Sequence, residues 1–275
     1  MSFDTTRPHP ARVYDWMIGG RENFPADREA ARQILELNPD VRRSFLENRR
    51  FLGRVVAYLV KRGVRQFLDI GTGLPASGNV HEVAHAIAPD TRVVYVDHDE
   101  IVLAHARALM AGSDRVRVVA GDATRPWEIL DGPVVRDFID WSQPVGLLMV
   151  ALLHFVSDEE GPASIVAAFR DALPAGSFLA ISHGGVEGWE DRKEQIRRAS
   201  QAHVRTREEI AGLFAGFDLL RPGLVDVANW RPAGPGPALT GLYGGVGRLP
   251  GGERPPIGGR PSWAARGSRA DSASA

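Results

Sequence analysis

Short apolar runs alternate with longer amphipathic stretches along most of this chain. Five runs, residues 66–70, 93–96, 116–120, 145–153 and 178–182, are almost wholly apolar, as strands covered on both faces must be. Between them the apolar positions recur at helical spacing over 79–88, 100–110, 127–139 and 158–173, and several of these stretches open on Asn or Asp, which cap free backbone N–H groups. This alternation predicts successive βαβ units around a parallel sheet. Residues 218–229 and 239–246 read as two further strands with only a Pro/Gly loop between them. So short a link suits an antiparallel edge. Ahead of the first strand, 26–37 and 40–62 are helical in pattern, with Phe45, Leu52, Val55, Val56 and Leu59 mainly on one face. Gly63 fits the left-handed position that ends such a helix.

The organisation that follows is a helical cover over 1–63, a Rossmann-like α/β unit over 64–248 and a tail over 249–275. In the tail Gly, Pro, Arg, Ser and Ala dominate, and apolar residues are too sparse to offset the entropy of ordering. The first 25 residues, with Tyr14, Trp16, Gly19, Gly20, Asn23 and Phe24, are too aromatic for a solvated arm and are expected to cover something.

Composition narrows the function classes. Lys+Arg number 33 against Asp+Glu 34, a net charge of −1, so no global field draws the chain to nucleic acid or an anionic membrane. The absence of cysteine excludes disulfides, thiolate metal sites and a cysteine nucleophile. The apolar run 145–156 is too short to cross a bilayer, and residues 1–10 lack the apolar stretch of a secretory signal. A cytoplasmic protein without nucleic-acid or membrane partners is therefore expected.

The most informative stretch is Phe67-Leu68-Asp69-Ile70-Gly71-Thr72-Gly73, a strand ending in an acid and two glycines, where backbone can approach a ligand without Cβ obstruction. The next two strands also end on carboxylates, at Asp97 and Asp122. In a doubly wound sheet those ends share one crevice, where Asp97 can accept from both ribose hydroxyls and Asp122, beside Ala123, from an exocyclic adenine amine. Asp69 lies where a cationic amino end would be met. His98 follows as a stacking partner for the base or as a solvated loop residue, and Asp99 as a helix cap. Two other readings compete. Gly71, Gly73 and Ala76 with Asp97 satisfy a dinucleotide pattern, but Pro75 and Gly78 delay the helix that a pyrophosphate wants directly behind the glycines. His81-Glu82-Val83-Ala84-His85 matches a zinc-binding helix motif, although Pro89 ends the helix early and no third ligand follows. No metal is expected.

These residues resemble the class I S-adenosylmethionine-dependent methyltransferases, and within them an actinobacterial group of S-adenosyl methyltransferases long treated as a domain of unknown function. The resemblance rests on Ala11-Arg12-Val13-Tyr14-Asp15-Trp16-Met17-Ile18-Gly19-Gly20, on Phe67 to Gly73 continuing through Leu74-Pro75 and Gly78-Asn79-Val80-His81-Glu82-Val83, on Val93-Val94-Tyr95-Val96-Asp97, and on Leu152-Leu153-His154-Phe155-Val156. It spans roughly 8–248 and implies a seven-stranded, mostly parallel sheet with a reversed last strand. It also implies S-adenosylmethionine as cofactor and methyl transfer, here expected to a small molecule through a hydroxyl or amine. Pro75 departs from the broader glycine pattern at its third glycine. The rival readings are an NAD-dependent oxidoreductase and a non-catalytic cofactor-binding regulator.

In-line methyl transfer needs alignment and exclusion of water more than a nucleophilic side chain. If the acceptor is a hydroxyl a base helps, and His154 and His183 stand at the ends of the fourth and fifth apolar runs. Each is a candidate base, His154 the better one, with a pocket-lining role as the alternative. Glu187 and Trp189 are candidate lining residues. Tyr14, Trp16 and Phe24 read either as a lid over the cofactor or as static packing on the long helix. Arg49 and Arg50 read as solvated charges, or as one reaching a cofactor carboxylate.

Overall fold

The computed structural model describes residues 4–110, 112–234 and 241–251. Three helices come first, α1 (Pro10–Met17), α2 (Pro25–Leu37) and α3 (Val41–Lys61). Proline opens the first two, where its missing N–H costs nothing, and Gly63 after α3 takes φ +90° as the pattern predicts. Then follow β1 (Gln66–Ile70), α4 (Val80–His85), β2 (Arg92–Asp97), α5 (Glu100–Leu109), β3 (Val116–Ala120), α6 (Pro126–Asp131), α7 (Pro133–Phe138), β4 (Gly146–Val150), α8 (Pro162–Ala172) and β5 (Phe178–Gly184). The chain closes with α9 (Lys193–Ser200), α10 (Arg207–Gly212), β6 (Asp218–Leu219), β7 (Val225–Asp226) and β8 (Leu242–Arg248).

The sheet runs β3-β2-β1-β4-β5-β8-β6, with β7 also paired to β8. The first five strands are parallel and β8 is antiparallel to β5. Strand order therefore reverses between β1 and β4, the switch point outside which a doubly wound sheet binds its ligands. Alternate residues feed two cores. Leu68, Ile70, Val94 and Val96 pack with α6, α7 and α8 residues such as Ile129, Val135 and Phe169. Phe67, Val93 and Tyr95 pack on the opposite face with Phe51, Val55 and Leu59 of α3. Thus α3 is a layer of the sheet itself.

Four expectations change in detail. The stretch 218–229 forms two short strands, β6 and β7, on either side of Arg221-Pro222-Gly223, because Pro222 has no N–H for a ladder and Gly223 sits at φ +91°. The sheet thus counts eight strands instead of seven among the described residues. The helix expected over 127–139 breaks at Gly132-Pro133 into α6 and α7. The strand expected over 145–153 stops at Val150, since Ala151 turns to φ +55° and a 3-10 turn, Leu153–Phe155, follows. The last described strand begins at Leu242, and residues 239–240 of the expected strand lie outside the described residues. Leu249, the first residue of the expected tail, is 1% exposed in the core, and its N–H donates to Ser177 O at 2.8 Å. Residues 252–275 of that tail lie outside the described residues. Among the described residues no helix is long and apolar enough to cross a membrane.

Candidate active site

The acidic ends of β1, β2 and β3 stand side by side because those strands are adjacent and parallel. After β1 the Gly71 N–H donates to Val96 O at 2.8 Å, which folds the turn over the end of β2. Gly71 and Gly73 hold φ +70° and +66°, a region costly to other residues. A Cβ on Gly71 would stand 2.5 Å from Leu152 Cδ1, whereas at Gly73 it would meet nothing within 4 Å. Asp97 orders this loop. Its Oδ2 accepts from the Gly73 N–H at 2.9 Å and its Oδ1 from the Asp99 N–H at 3.0 Å, leaving each oxygen a further lone pair for a ligand. Asp69 is buried and accepts from the Thr72 hydroxyl at 3.0 Å, and burial pushes its carboxyl up to about 7.

Asp122 Oδ1 accepts from the N–H and hydroxyl of Thr124, while the Ala123 side chain is packed in the core. His98 is exposed, its ring 5.7 Å from that of His9. The glycine loop does not run straight into a helix: α4 starts only at Val80. Arg49 of α3 holds the intervening loop, donating to Ala76 O at 2.9 Å, Ser77 O at 3.2 Å and Asn79 Oδ1 at 2.8 Å. Arg50 pairs instead with Glu47. The zinc-like motif is spent locally. Glu82 accepts from the Gly78 and Asn79 N–H groups, His81 Nδ1 meets Tyr95 Oη at 2.8 Å, and His85 Nε2 meets Thr91 O at 2.8 Å.

The N-terminal segment is tied down by buried polar groups. Asp27, fully buried, accepts from Arg12 Nε at 3.1 Å and from the His9 and Phe24 N–H groups. Asp15 accepts from Glu22 N–H and Asn23 Nδ2 and sits against Gly20, where a Cβ would lie 1.9 Å from Oδ1. The three aromatic residues of this segment separate. Phe24 packs with Leu74, Ile101 and Val102 beside the glycine loop, Trp16 packs among α1 and α2, and Tyr14 stacks edge-on with Phe45. Tyr14 Oη donates to Phe45 O and accepts from Asn48 Nδ2, both at 3.0 Å. Asn48 Oδ1 in turn accepts from Ser182 Oγ at 2.6 Å, and Ser182 Oγ accepts from the N–H of Ala151 at 2.9 Å. This chain links α1 to the strained end of β4.

Under α1 and α2 opens a cavity of about 540 Å³. Tyr14, Phe45, Phe155, Trp189 and Tyr243 supply ring surfaces, and α9 contributes Ile196 and Ala199. Trp16 and Phe24 are absent from its lining. Two lining residues of the cavity lie close to the loops that carry the carboxylates. His9, which lines it, stands 3.5 Å from Asp99 Oδ2. His154, which also lines it, follows the Leu152 that packs on Gly71.

His154 sits in the 3-10 turn past β4. Its Nδ1 accepts from the Gly184 N–H at 3.4 Å, which places the neutral ring's proton on Nε2. Burial, then the neighbouring His183 and Arg205, hold its pKa well below the ordinary value. His183 lies within β5 and is fully buried. Arg205 Nη1 can only donate, so His183 Nε2 is its acceptor at 2.9 Å and Nδ1–H donates to Gly184 O at 2.9 Å. With both nitrogens occupied and burial pushing its pKa to about 4, His183 is placed to hold structure rather than take a proton. Arg205 also donates to Leu153 O, Val156 O and Asp158, fixing the His154 segment. Asn48, Ser182 and Arg205 escaped the sequence reading. Asn48 alone carried a signal, a polar residue inside the apolar face of α3.

A family model described as S-adenosyl methyltransferase matches residues 1–250. Two crystal structures are similar to this chain over most of its length. One, from Thermobifida fusca YX, is of "a putative methyltransferase", with 39% identity over 90% of this chain and 97% of that one and a TM-score of 0.86. The other is of a DUF574 family protein from Streptomyces avermitilis MA-4680, with 39% identity over 90% and 99% of the two chains and a TM-score of 0.84. No protein of curated function matches.

Proposed function

The chain belongs to the S-adenosyl methyltransferase family, and from that premise we propose that this S-adenosylmethionine-dependent methyltransferase seats its cofactor across the ends of β1–β3 and a small-molecule acceptor in the cavity under α1 and α2. Three carboxylates on adjacent strand ends carry the reading, with a cavity nearby whose lining residue His9 stands beside Asp99. The donor set fits the group, because Asp97 keeps lone pairs toward the crevice and Asp69 is a buried carboxylate with no cation of the protein bonded to it among the described contacts.

In this assignment Asp97 holds the ribose hydroxyls, Asp69 the amino end directly or through water, and Asp122 with the backbone of Ala123 the adenine amine. His98 lies against the base, and Gly71 and Gly73 let the backbone approach. S-adenosylmethionine supplies an electrophilic methyl group on a positively charged sulfur. The protein's part is to orient the two molecules and exclude water, and the buried anchors of α1 at Asp15 and Asp27 support a fixed roof for that purpose. The enclosed volume lies in the usual range for small-molecule sites. The long loop before α4 speaks against a pyrophosphate and so against the NAD-dependent alternative.

Calorimetry with S-adenosylhomocysteine and with NAD tests the cofactor assignment, and binding of NAD alone would overturn it. Transfer of labelled methyl from S-adenosylmethionine to a small-molecule collection, set beside peptides and nucleic acids, tests the acceptor. Labelling of macromolecules only would move the acceptor out of the cavity.

A further inference from the structure

Among the titratable groups that line the cavity, most already have partners or stand at its rim. Its carboxylates are engaged or at the rim: Glu187 accepts from the Arg207 N–H and faces the Tyr243 hydroxyl, Asp226 accepts from the Ala228 N–H, and Asp40 is exposed beside the exposed Arg43. The Tyr14 hydroxyl is spent on Phe45 and Asn48. His9 Nδ1 accepts from the Ala11 N–H, so its proton is on Nε2, toward Asp99. His154 differs. Its acceptor nitrogen is used by Gly184, while its Nε2–H has no protein partner among the described contacts and is not shut away from the cavity that His154 lines. A donor left open at an apolar wall gains from an acceptor atom on a ligand. Neither histidine is placed as the base that a neutral alcohol would need, since the lone pair of His154 is engaged and Arg205 occupies that of His183.

We propose that the methyl acceptor is an acidic aromatic hydroxyl, of the phenol type, that enters already ionised and is held as its oxyanion by the Nε2–H of His154. The inference rests on the acceptor site assigned above. Ring side chains from Tyr14, Phe45, Phe155 and Trp189 suit a planar aromatic body. The phenol gives up its proton to solvent before transfer. The oxygen lone pair then forms the O–CH3 bond as the S–CH3 bond breaks and its electron pair stays on sulfur. The negative charge on oxygen and the positive charge on sulfur cancel, so no proton moves in the step. His154 is thereby a hydrogen-bond donor and not the base that its position in the sequence suggests.

The test reads the ionisation of a bound probe. A nitrophenol, whose anion absorbs at longer wavelength than the neutral form, is titrated against pH on the full chain with sinefungin. That unreactive analogue keeps a positive charge in place of the sulfonium. The expected result is a bound midpoint lowered by about one pH unit or more, a tenfold change in ionisation. The shift should persist in part in His154→Gln and be clearly smaller in His154→Phe, where only the charge on sinefungin remains. A midpoint unchanged or raised in the wild-type chain overturns the proposal whatever the variants do, as does an equal shift in His154→Phe. Tighter binding of the matching aniline than of the phenol overturns it in favour of an amine. If sinefungin binds by calorimetry and no phenol does, the acceptor class is wrong and the cofactor assignment stands. If sinefungin itself does not bind, the cofactor assignment falls first.

Discussion

Asp69 brings a carboxylate to a place that water scarcely reaches, and that burial has two measurable consequences of opposite use. The folded carboxyl keeps its proton up to about pH 7, against 3.8 as the ordinary value. Between those values the unliganded fold binds the extra proton, so its stability falls as pH rises from about 4 to about 7, by at most about 1.4 kcal/mol per pH unit. Asp69→Asn should remove that slope in denaturant unfolding and leave the unliganded protein more stable at pH 8. Cofactor affinity should run the other way. A cationic amino end favours the ionised carboxylate, so binding by calorimetry should strengthen as pH rises through about 7 and become nearly flat in Asp69→Asn. Asp97 acts through hydrogen bonds, and Asp97→Ala should weaken cofactor binding by about 1.5–3 kcal/mol, the range for bonds to a charged group. Unchanged affinity would remove the ribose assignment.

Between elements, the contacts that matter are polar ones in dry surroundings. Asn48 on α3 joins Tyr14 of α1 to Ser182 of β5, and Ser182 receives the N–H of Ala151, a non-glycine residue at positive φ. Such a conformation persists only where its surroundings hold it. Asn48→Ala leaves the Tyr14 and Ser182 hydroxyls each short of a buried partner, and should cost about 1–3 kcal/mol in thermal or denaturant unfolding. Replacement at the exposed Arg50 serves as the control and should cost well under 1 kcal/mol. The same chain of bonds positions the segment that carries His154, so Asn48→Ala should also weaken binding in the cavity.

At the scale of the whole molecule, α3 joins the N-terminal helices to the sheet. Phe51 is fully buried, meets Trp230 edge-on at 5.6 Å and fills the space that a side chain at Gly244 of β8 would need. Arg54 adds a bond to Trp230 O at 2.9 Å. Phe51→Ala should therefore destabilise the fold by about 3–5 kcal/mol, and calorimetry should show one cooperative transition for the wild type and the variant. An early, separate melting of the first helices would show instead that the cover is an independent unit.

What the sequence determined by itself is the part governed by local rules. Periodicity placed the five parallel strands and the long helix α3, because strands buried on both faces and one-sided helices write distinct hydrophobic patterns. The same rules located the glycine turn and the carboxylates at 69, 97 and 122, since strand ends and chain order are enough to align them once the sheet is parallel. Breaks inside elements were less legible. Pro133 and Pro222 carried the signal, but whether the chain stops or bends there depends on what it packs against. The tertiary structure alone decided the hydrogen-bonding states of His154 and His183, because a ring nitrogen is acceptor or donor according to the partner that folding brings to it. Gly184 and Arg205 are those partners, and Arg205 is remote from both in sequence. The cavity is likewise a product of folding, built by residues from α1 to β8 that no window of sequence contains.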